Sequence, residues 1–255
     1  MTDVSKIYDV LNAHAPFSLA ESWDNSGVLV NTKRNVSRVL TALDITKKVA
    51  EEAVSKGADL VLSHHPVIFH PLSSLDGENP AVILAKKDIG AICLHTNLDI
   101  AEKGLNDYLC KVLGFTPLGD TPLDFDGGKP IGKVCDLPYE YSCEKLGEIV
   151  KLRLGCKTLR YNRISKPIKR IGVCSGSGGS FLSGALRNDC DALITGDVKH
   201  DVFIAAENSG IAVFDAGHFY TETIFNKWVK ELLSDSFPEL TVLEAESGSD
   251  PCSYL

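Results

Sequence analysis

"VSRVLTALDITKKVAEEAVSKGADLVLSH", residues 36–64, is written a second time, loosely, at 168–196 as "IKRIGVCSGSGGSFLSGALRNDCDALITG". The offset is a constant 132, and it brings Arg38, Ala53 and Asp59 onto Arg170, Ala185 and Asp191. Around these identities apolar positions meet apolar ones: Val39 with Ile171, Val61 with Leu193, Leu62 with Ile194. Farther on, "GAICLH" (90–95) matches "GIAVFD" (210–215) at an offset of 120, as though the second copy were shorter by about a dozen residues. Each copy reads strand, helix, strand, helix, strand, with short β-branched runs between segments of helical period. That alternation predicts an α/β fold of two related lobes, with parallel strands and right-handed crossovers. Between the copies, "GFTPLGDTPLDFDGGKPIGKV" (114–134) is rich in Gly, Pro and Asp. It marks the expected seam, with an N-terminal lobe over 1–123 and a C-terminal lobe over 124–255.

A chain of 255 residues, 44% hydrophobic, has material for one large or two moderate cores. Its net charge of −8, from 34 acidic against 26 basic residues, disfavours nucleic acid as a partner. Phosphate-backbone binding relies on clustered Lys and Arg. The first residues, "MTDVSKIYDVLNAHAPF", lack a basic stretch followed by an apolar block and so do not read as a secretory leader. They read as an amphipathic helix with Val4, Ile7, Tyr8 and Leu11 on one face. No apolar run approaches the ~20 residues needed to cross a bilayer, so no membrane partner is expected. Eight cysteines are present with no CxxC pair. Several lie inside strand-like runs, where a thiol serves as a small hydrophobe. The expected compartment is reducing and cytoplasmic.

Ligands of α/β sheets bind off the carboxyl ends of the strands. The run "ADLVLS" ends at His64-His65, "AICL" runs into His95 and then Asp99, and "IAVF" runs into "DAGHFYTE" with His218 and Glu222. Adjacent residues of a strand point to opposite faces, so two neighbouring histidines fit a strand end better than a strand interior. His218 and Glu222 are four apart at the start of a helical pattern that continues through Ile224, Phe225, Trp228, Val229 and Leu232. They can share one face of that helix's opening turn. Neutral imidazole with anionic carboxylate is a donor mixture that Zn, Fe and Mn accept. His64, His65, Asp99, His218 and Glu222 exceed what one ion with an open position needs. They suit two ions about 3.5–4 Å apart. A blander reading stands beside this one. A histidine on a strand is usually a satisfied polar residue, and a Glu early in a helix is favourable with no ion present. His14, His70 and His200 are read as ordinary surface or supporting residues. "CSGSGGS" (174–180) can cradle an anion or form a plain tight turn, lacking the lysine of a phosphate loop. "WDNSG" (23–27) reads either as a site-facing loop or as a strand entry.

Taken in order, "ESWDNSGVLV", "SHHPVIFHPL", "HTNLDIAEKGLND", "GVCSGSGGS", "LITGDVKH" and "FDAGHFYTET", with the closing "SDPCSYL", resemble the GTP cyclohydrolase I type 2, or NIF-three-like, family. The resemblance covers nearly the whole chain. It implies the NIF-three-like fold of two α/β lobes without an inserted extra domain, a dinuclear metal site in the cleft between lobes, and a homohexamer. It also implies His64, His65, Asp99, His218 and Glu222 as metal ligands, and His95 at the edge of the centre as a proton shuttle. The implied reaction is hydrolytic opening of the guanine ring of GTP by metal-activated water, with release of formate. GTP is thus the candidate small-molecule substrate, or another phosphorylated compound. Function resides in sites and not in folds. Two other roles therefore remain open: metal delivery during cofactor assembly, and a regulatory or scaffold hexamer. One departure from the family pattern is "SDPCS", where an aromatic more often follows the proline.

Overall fold

A computed structural model of the chain describes residues 1–32 and 35–254; Lys33, Arg34 and Leu255, the last residue of the closing motif, lie outside the described residues. The chain divides into two units, Met1–Glu102 with Phe225–Pro251, and Lys103–Ile224 with Cys252–Leu255.

The first unit contains β1 (Thr2–Asp3), α1 (Val4–His14), β2 (Gly27–Val30), β3 (Asn35–Val36), β4 (Arg38–Ala42), α2 (Lys47–Ser55), β5 (Leu60–Ser63), α3 (Pro80–Lys86), β6 (Gly90–Cys93) and α4 (Thr96–Ile100). The chain returns to it with α10 (Phe225–Ser236) and β15 (Thr241–Glu244). Its main sheet has the order β15-β4-β5-β6-β2, parallel except for the edge strand β2. Local chemistry sets the helix starts. Asp3 accepts from the Ser5 N–H to cap α1, Thr46 from Val49 to cap α2, and Asn79 from Ala81 to cap α3 with Pro80 in its first turn. On α1, Ile7 and Leu11 are buried, as the amphipathic reading requires. β5 is buried at every position, the pattern of a parallel strand covered on both faces.

The second unit contains α5 (Leu105–Leu113), β7 (Thr116–Pro117), β8 (Asp124–Asp126), β9 (Lys129–Ile131), β10 (Lys133–Tyr141), α6 (Cys143–Leu154), β11 (Arg160–Tyr161), β12 (Ile168–Val173), α7 (Leu182–Arg187), β13 (Ala192–Thr195), α8 (His200–Ser209), β14 (Ala212–Asp215) and α9 (His218–Glu222). Its sheet has the order β11-β14-β13-β12-β10-β7, with β12, β13 and β14 parallel and antiparallel strands at either side.

The internal repeat is reproduced in register. Val39 pairs with Leu60 where Ile171 pairs with Ala192. Asp59 accepts from the backbone N–H of Ser37 and Arg38, and Asp191 does the same for Lys169 and Arg170. The matched aspartates thus fasten the entry of the first strand in each unit. The matched alanines, Ala53 and Ala185, each accept the closing backbone bond, from Ala58 and Cys190 respectively. For the third strand the expected offset of 120 is corrected. Leu60 pairs with Gly90 and Ala192 with Ala212, so the offset is 122 and the second copy is ten residues shorter. A slip of two residues keeps every side chain on its own face, so the apolar pattern could not detect it.

The expected division at 123/124 also differs from the observed one. Leu123 is buried in the core of the second unit with Val134, Cys174 and Leu193. The Gly- and Pro-rich stretch around it is a hairpin: β8 and β9 turn through Gly127 and Gly128, both with positive φ (54° and 84°), as a two-residue primed turn requires. The single helix expected after His218 is broken at Thr223–Ile224 into α9 and α10, and there the chain passes from one unit to the other. Seven of the eight cysteines are buried and Cys252 is exposed; all are free thiols. Among the described residues no helix is long and apolar enough to cross a membrane.

Candidate metal centre

In the first unit the backbone pairing of β5 carries past its end. The N–H of His64 reaches the Ala42 carbonyl at 3.3 Å and that of His65 the Leu43 carbonyl at 2.9 Å. Pro66 has no N–H with which to continue the ladder. Both histidines are therefore fixed by sheet hydrogen bonding at the point where the sheet stops. The His64 ring is fully buried, and its Nδ1 lies 2.7 Å from the Leu94 carbonyl. Its Nε2 faces an Asp99 oxygen at 3.7 Å. The His65 ring is held through Nδ1 by Asp44 at 2.7 Å.

His95 follows β6 and stands at the N-terminal boundary of α4, which carries Asp99 one turn later. Its Nδ1 is 2.7 Å from Asp24. Asp24 sits in "WDNSG" with its side chain inaccessible to solvent. Burial alone would raise its pKa. Hydrogen bonds from the His95 ring and the Thr96 and Ser26 hydroxyls override that and hold the carboxyl well below the usual carboxylate range. The "WDNSG" segment is thus a clamp on His95 as well as the entry to β2. His64, His65 and His95 each present a ring nitrogen within 4.8 Å of the others.

In the second unit Gly217, at φ 86°, turns the chain from β14 into α9. His218 and Glu222 lie on one face of α9, as their spacing predicts, with Nε2 2.7 Å from the Glu222 carboxylate. The other nitrogen, Nδ1, is 2.8 Å from Asp197. The Glu222 carboxylate, and secondarily Asp197, push the His218 pKa up to about 9 against the opposing effect of burial. Two glycines make room. A Cβ at Gly176 would stand 2.1 Å from the Glu222 Oε1, and one at Gly196 would stand 2.6 Å from the His218 backbone nitrogen. In "CSGSGGS" the Gly176 N–H is used by Thr221 at 3.0 Å and the Gly178 N–H by Thr195 at 2.8 Å. This favours the tight-turn reading of that loop.

The sequence patterns did not single out Asp24, Asp44 or Asp197 as ring anchors. Asp44 and Asp197 lie just beyond the ends of β4 and β13, so the strand-end rule could have found them had it been applied to acidic residues. Asp24 precedes an antiparallel strand, where that rule is silent. The three remaining histidines stand apart: His14 bonds the Val10 carbonyl of its own helix, His70 packs on Phe69, and His200 opens α8 at the surface.

The donor chemistry of His64, His65 and His95 fits a divalent transition metal, and His218 with Glu222 supplies two further donors of the same kind. Four imidazoles have Nδ1 on a carbonyl or carboxylate, and two have Nε2 beside a carboxylate. This is the outer support that metal-binding histidines ordinarily carry.

A family model described as Duf34/NIF3 (NGG1p interacting factor 3) matches residues 2–251. A Clostridium perfringens protein named GTP cyclohydrolase 1 type 2 homolog is 33% identical, covering 99% of each chain. A Helicobacter pylori protein named GTP cyclohydrolase 1 type 2 is 35% identical, covering 96% of each. Among solved structures, a Staphylococcus aureus protein superposes with a TM-score of 0.86 at 26% identity over 100% of this chain and 99% of its own. HcgD from Methanocaldococcus jannaschii, in its reduced form, superposes with a TM-score of 0.81 at 29% identity over 96% and 98%. Both the sequence match and the fold lead to one conclusion: this chain belongs to the Duf34/NIF3 family.

Proposed function

We propose that the chain is a divalent-metal-dependent hydrolase acting on a purine nucleotide or a similar small phosphorylated substrate. In this reading His64, His65, Asp99, His218 and Glu222 are the ligands of two ions of the Zn, Fe or Mn class, the set that the family resemblance implies. The observation that carries it is the uniform anchoring of the rings at Nδ1. A bond there fixes the tautomer and aims the Nε2 lone pair, which a ligand needs and a surface histidine does not. The His218–Glu222 pair adds support. Its imidazole and carboxylate lie 2.7 Å apart and together make the donor mixture that a divalent cation accepts, and because the imidazole must be neutral to act as a ligand, affinity should rise with pH. The names of the relatives from Clostridium and Helicobacter support guanosine triphosphate as the first substrate to try.

Bound divalent ions lower the pKa of water towards ~7 and polarise a phosphoryl or carbonyl oxygen. This chain's own residues would do the rest. Asp24 keeps the His95 ring in place, and His95, which is partly exposed where His64 is fully buried, would hold or move a proton at Nε2 beside the ions. Asp44 and Asp197 would keep His65 and His218 aimed. Assembly into a homohexamer belongs to the same proposal and rests on the family resemblance; mass photometry tests it.

The decisive experiment measures metal content, GTP consumption and formate release in metal-loaded protein. Two ions per chain and turnover that His65→Ala abolishes are expected. His95→Ala should keep both ions and lose turnover; loss of an ion instead would make His95 a ligand. No turnover with any of several divalent ions, together with tight but exchangeable iron, would refute the hydrolase and favour metal delivery.

A further inference from the structure

Two large rings beside His95 are left open to solvent. Trp23 is 57% exposed and Phe69 is 41% exposed. Their centroids are 6.1 Å apart, and they lie 6.1 and 6.4 Å from the His95 ring. The His95 ring in turn is 5.3 and 5.5 Å from His64 and His65. Exposed aromatics on mobile loops would be unremarkable, but these two are tethered. Trp23 immediately precedes Asp24, whose carboxylate is fixed by His95, Thr96 and Ser26. Phe69 immediately follows Ile68, whose carbonyl accepts a 2.5 Å bond from the Asn25 side chain. One polar segment, "DNS", therefore holds both loops and the His95 ring together, and the wall is preorganised.

We propose that Trp23 and Phe69 form a stacking wall for the planar heteroaromatic base of a nucleotide whose polar end reaches the histidine cluster. The proposal rests on the nucleotide-hydrolase reading of that cluster and specifies how the base is held. At 6.1 Å with a 45° tilt the two rings are too close and too inclined to sandwich a base between them. The base stacks on one face of Trp23 with Phe69 along its edge, an arrangement aromatic groups favour. A purely aliphatic ligand would gain area here but no stacking. An inorganic anion would gain no stacking here, the Trp23 indole N–H being the one donor the two rings carry.

The chain has two tryptophans, and Trp228 is 8% exposed, so Trp23 is the accessible fluorophore. Metal-loaded protein is titrated with guanosine 5′-monophosphate and, separately, with ribose 5-phosphate, with inner-filter correction. Saturable quenching by the nucleotide and none by the sugar phosphate are expected. By calorimetry Trp23→Ala should weaken nucleotide binding about 5- to 150-fold, the range for losing one stacked base, with metal content unchanged. Trp23→Phe should recover most of the affinity. Phe69→Ala is a second variant that should weaken binding severalfold if Trp23→Ala fails to fold.

Equal binding of the two ligands would overturn the inference, as would Trp23→Ala binding within twofold of wild type. Trp23 emission already blue-shifted without ligand and indifferent to nucleotide would mean that protein covers the wall, and would overturn it too. Quenching without any turnover would sink the hydrolase and leave the stacking wall. Turnover with KM unchanged in Trp23→Ala would do the reverse.

Discussion

Gly176→Ala tests whether the room around Glu222 is there for a metal. The new Cβ would stand 2.1 Å from the Glu222 Oε1 and 3.1 Å from its carboxyl carbon. Ordinary contact begins near 3.4 Å, so the carboxylate must move by about 1.3 Å. Metal–oxygen distances tolerate only about 0.2 Å. Glu222 is 4% exposed, which leaves it little alternative space. The ion should therefore lose an oxygen ligand, or keep it in a distorted position, and affinity should fall about 10- to 100-fold, equal to about 1.4–2.7 kcal/mol. A second cost is independent of the metal. Gly176 has φ 58°, where alanine is strained by about 1–2 kcal/mol. Gly155→Ala separates the two effects, because Gly155 has φ 67° and no atom within 4 Å of its Cβ position. It should carry the backbone cost and leave the metal alone. Competition against a chromophoric chelator reads affinity, and calorimetric melting of metal-free protein reads stability. Metal affinity of Gly176→Ala within twofold of wild type, or an equal loss in Gly155→Ala, would refute the reasoning.

Asp24→Asn should lower turnover of the metal-loaded protein about 10- to 100-fold by freeing His95 to turn, with metal affinity in the competition assay unchanged. Phe214→Ala removes a fully buried ring stacked on Tyr161 at 5.4 Å, and should cost about 3–5 kcal/mol in denaturant unfolding. Glu52 supplies a pH prediction. Burial would raise its pKa, but Lys56, the Ser247 hydroxyl and the N–H groups of Glu246 and Ser247 pull it from 4.5 down to about 2. A depressed carboxylate stabilises the fold above its unfolded pKa, and that stability is lost as pH falls through the window from 4.5 to about 2. After discounting for solvent screening the effect should be about 1–2 kcal/mol, and Glu52→Gln should flatten the melting curve's pH dependence in that window.

Local signals made much of the fold legible. The repeat, its helix starts and the strand-end placement of His64, His65, His95 and His218 all follow from periodicity and turn chemistry within a few residues. What failed was nonlocal. The hairpin at Gly127-Gly128 carries the same composition as a linker, and only the burial of Leu123 distinguishes them. The break between α9 and α10 leaves no mark, because the apolar spacing through Ile224, Phe225 and Trp228 continues across it. The anchoring aspartates escaped notice because a carboxylate that orients a ring is, in sequence, one acidic residue among 34. The copies also diverged where chemistry is concentrated. His64 and His65 correspond at offset 132 to Gly196 and Asp197, and His218 and Glu222 correspond at offset 122 to Thr96 and Ile100. Similarity between the halves could therefore outline the scaffold without locating the ligands.

The return of the chain to its first unit has a consequence for biosynthesis. β4 borders β5 on one side and β15, the last strand made, on the other. A nascent chain halted at Ile224 would present β4 as a bare edge, an invitation to pairing with other chains. Emergence from the ribosome therefore runs opposite to completion: the half translated first is finished last, once residues 241–244 arrive.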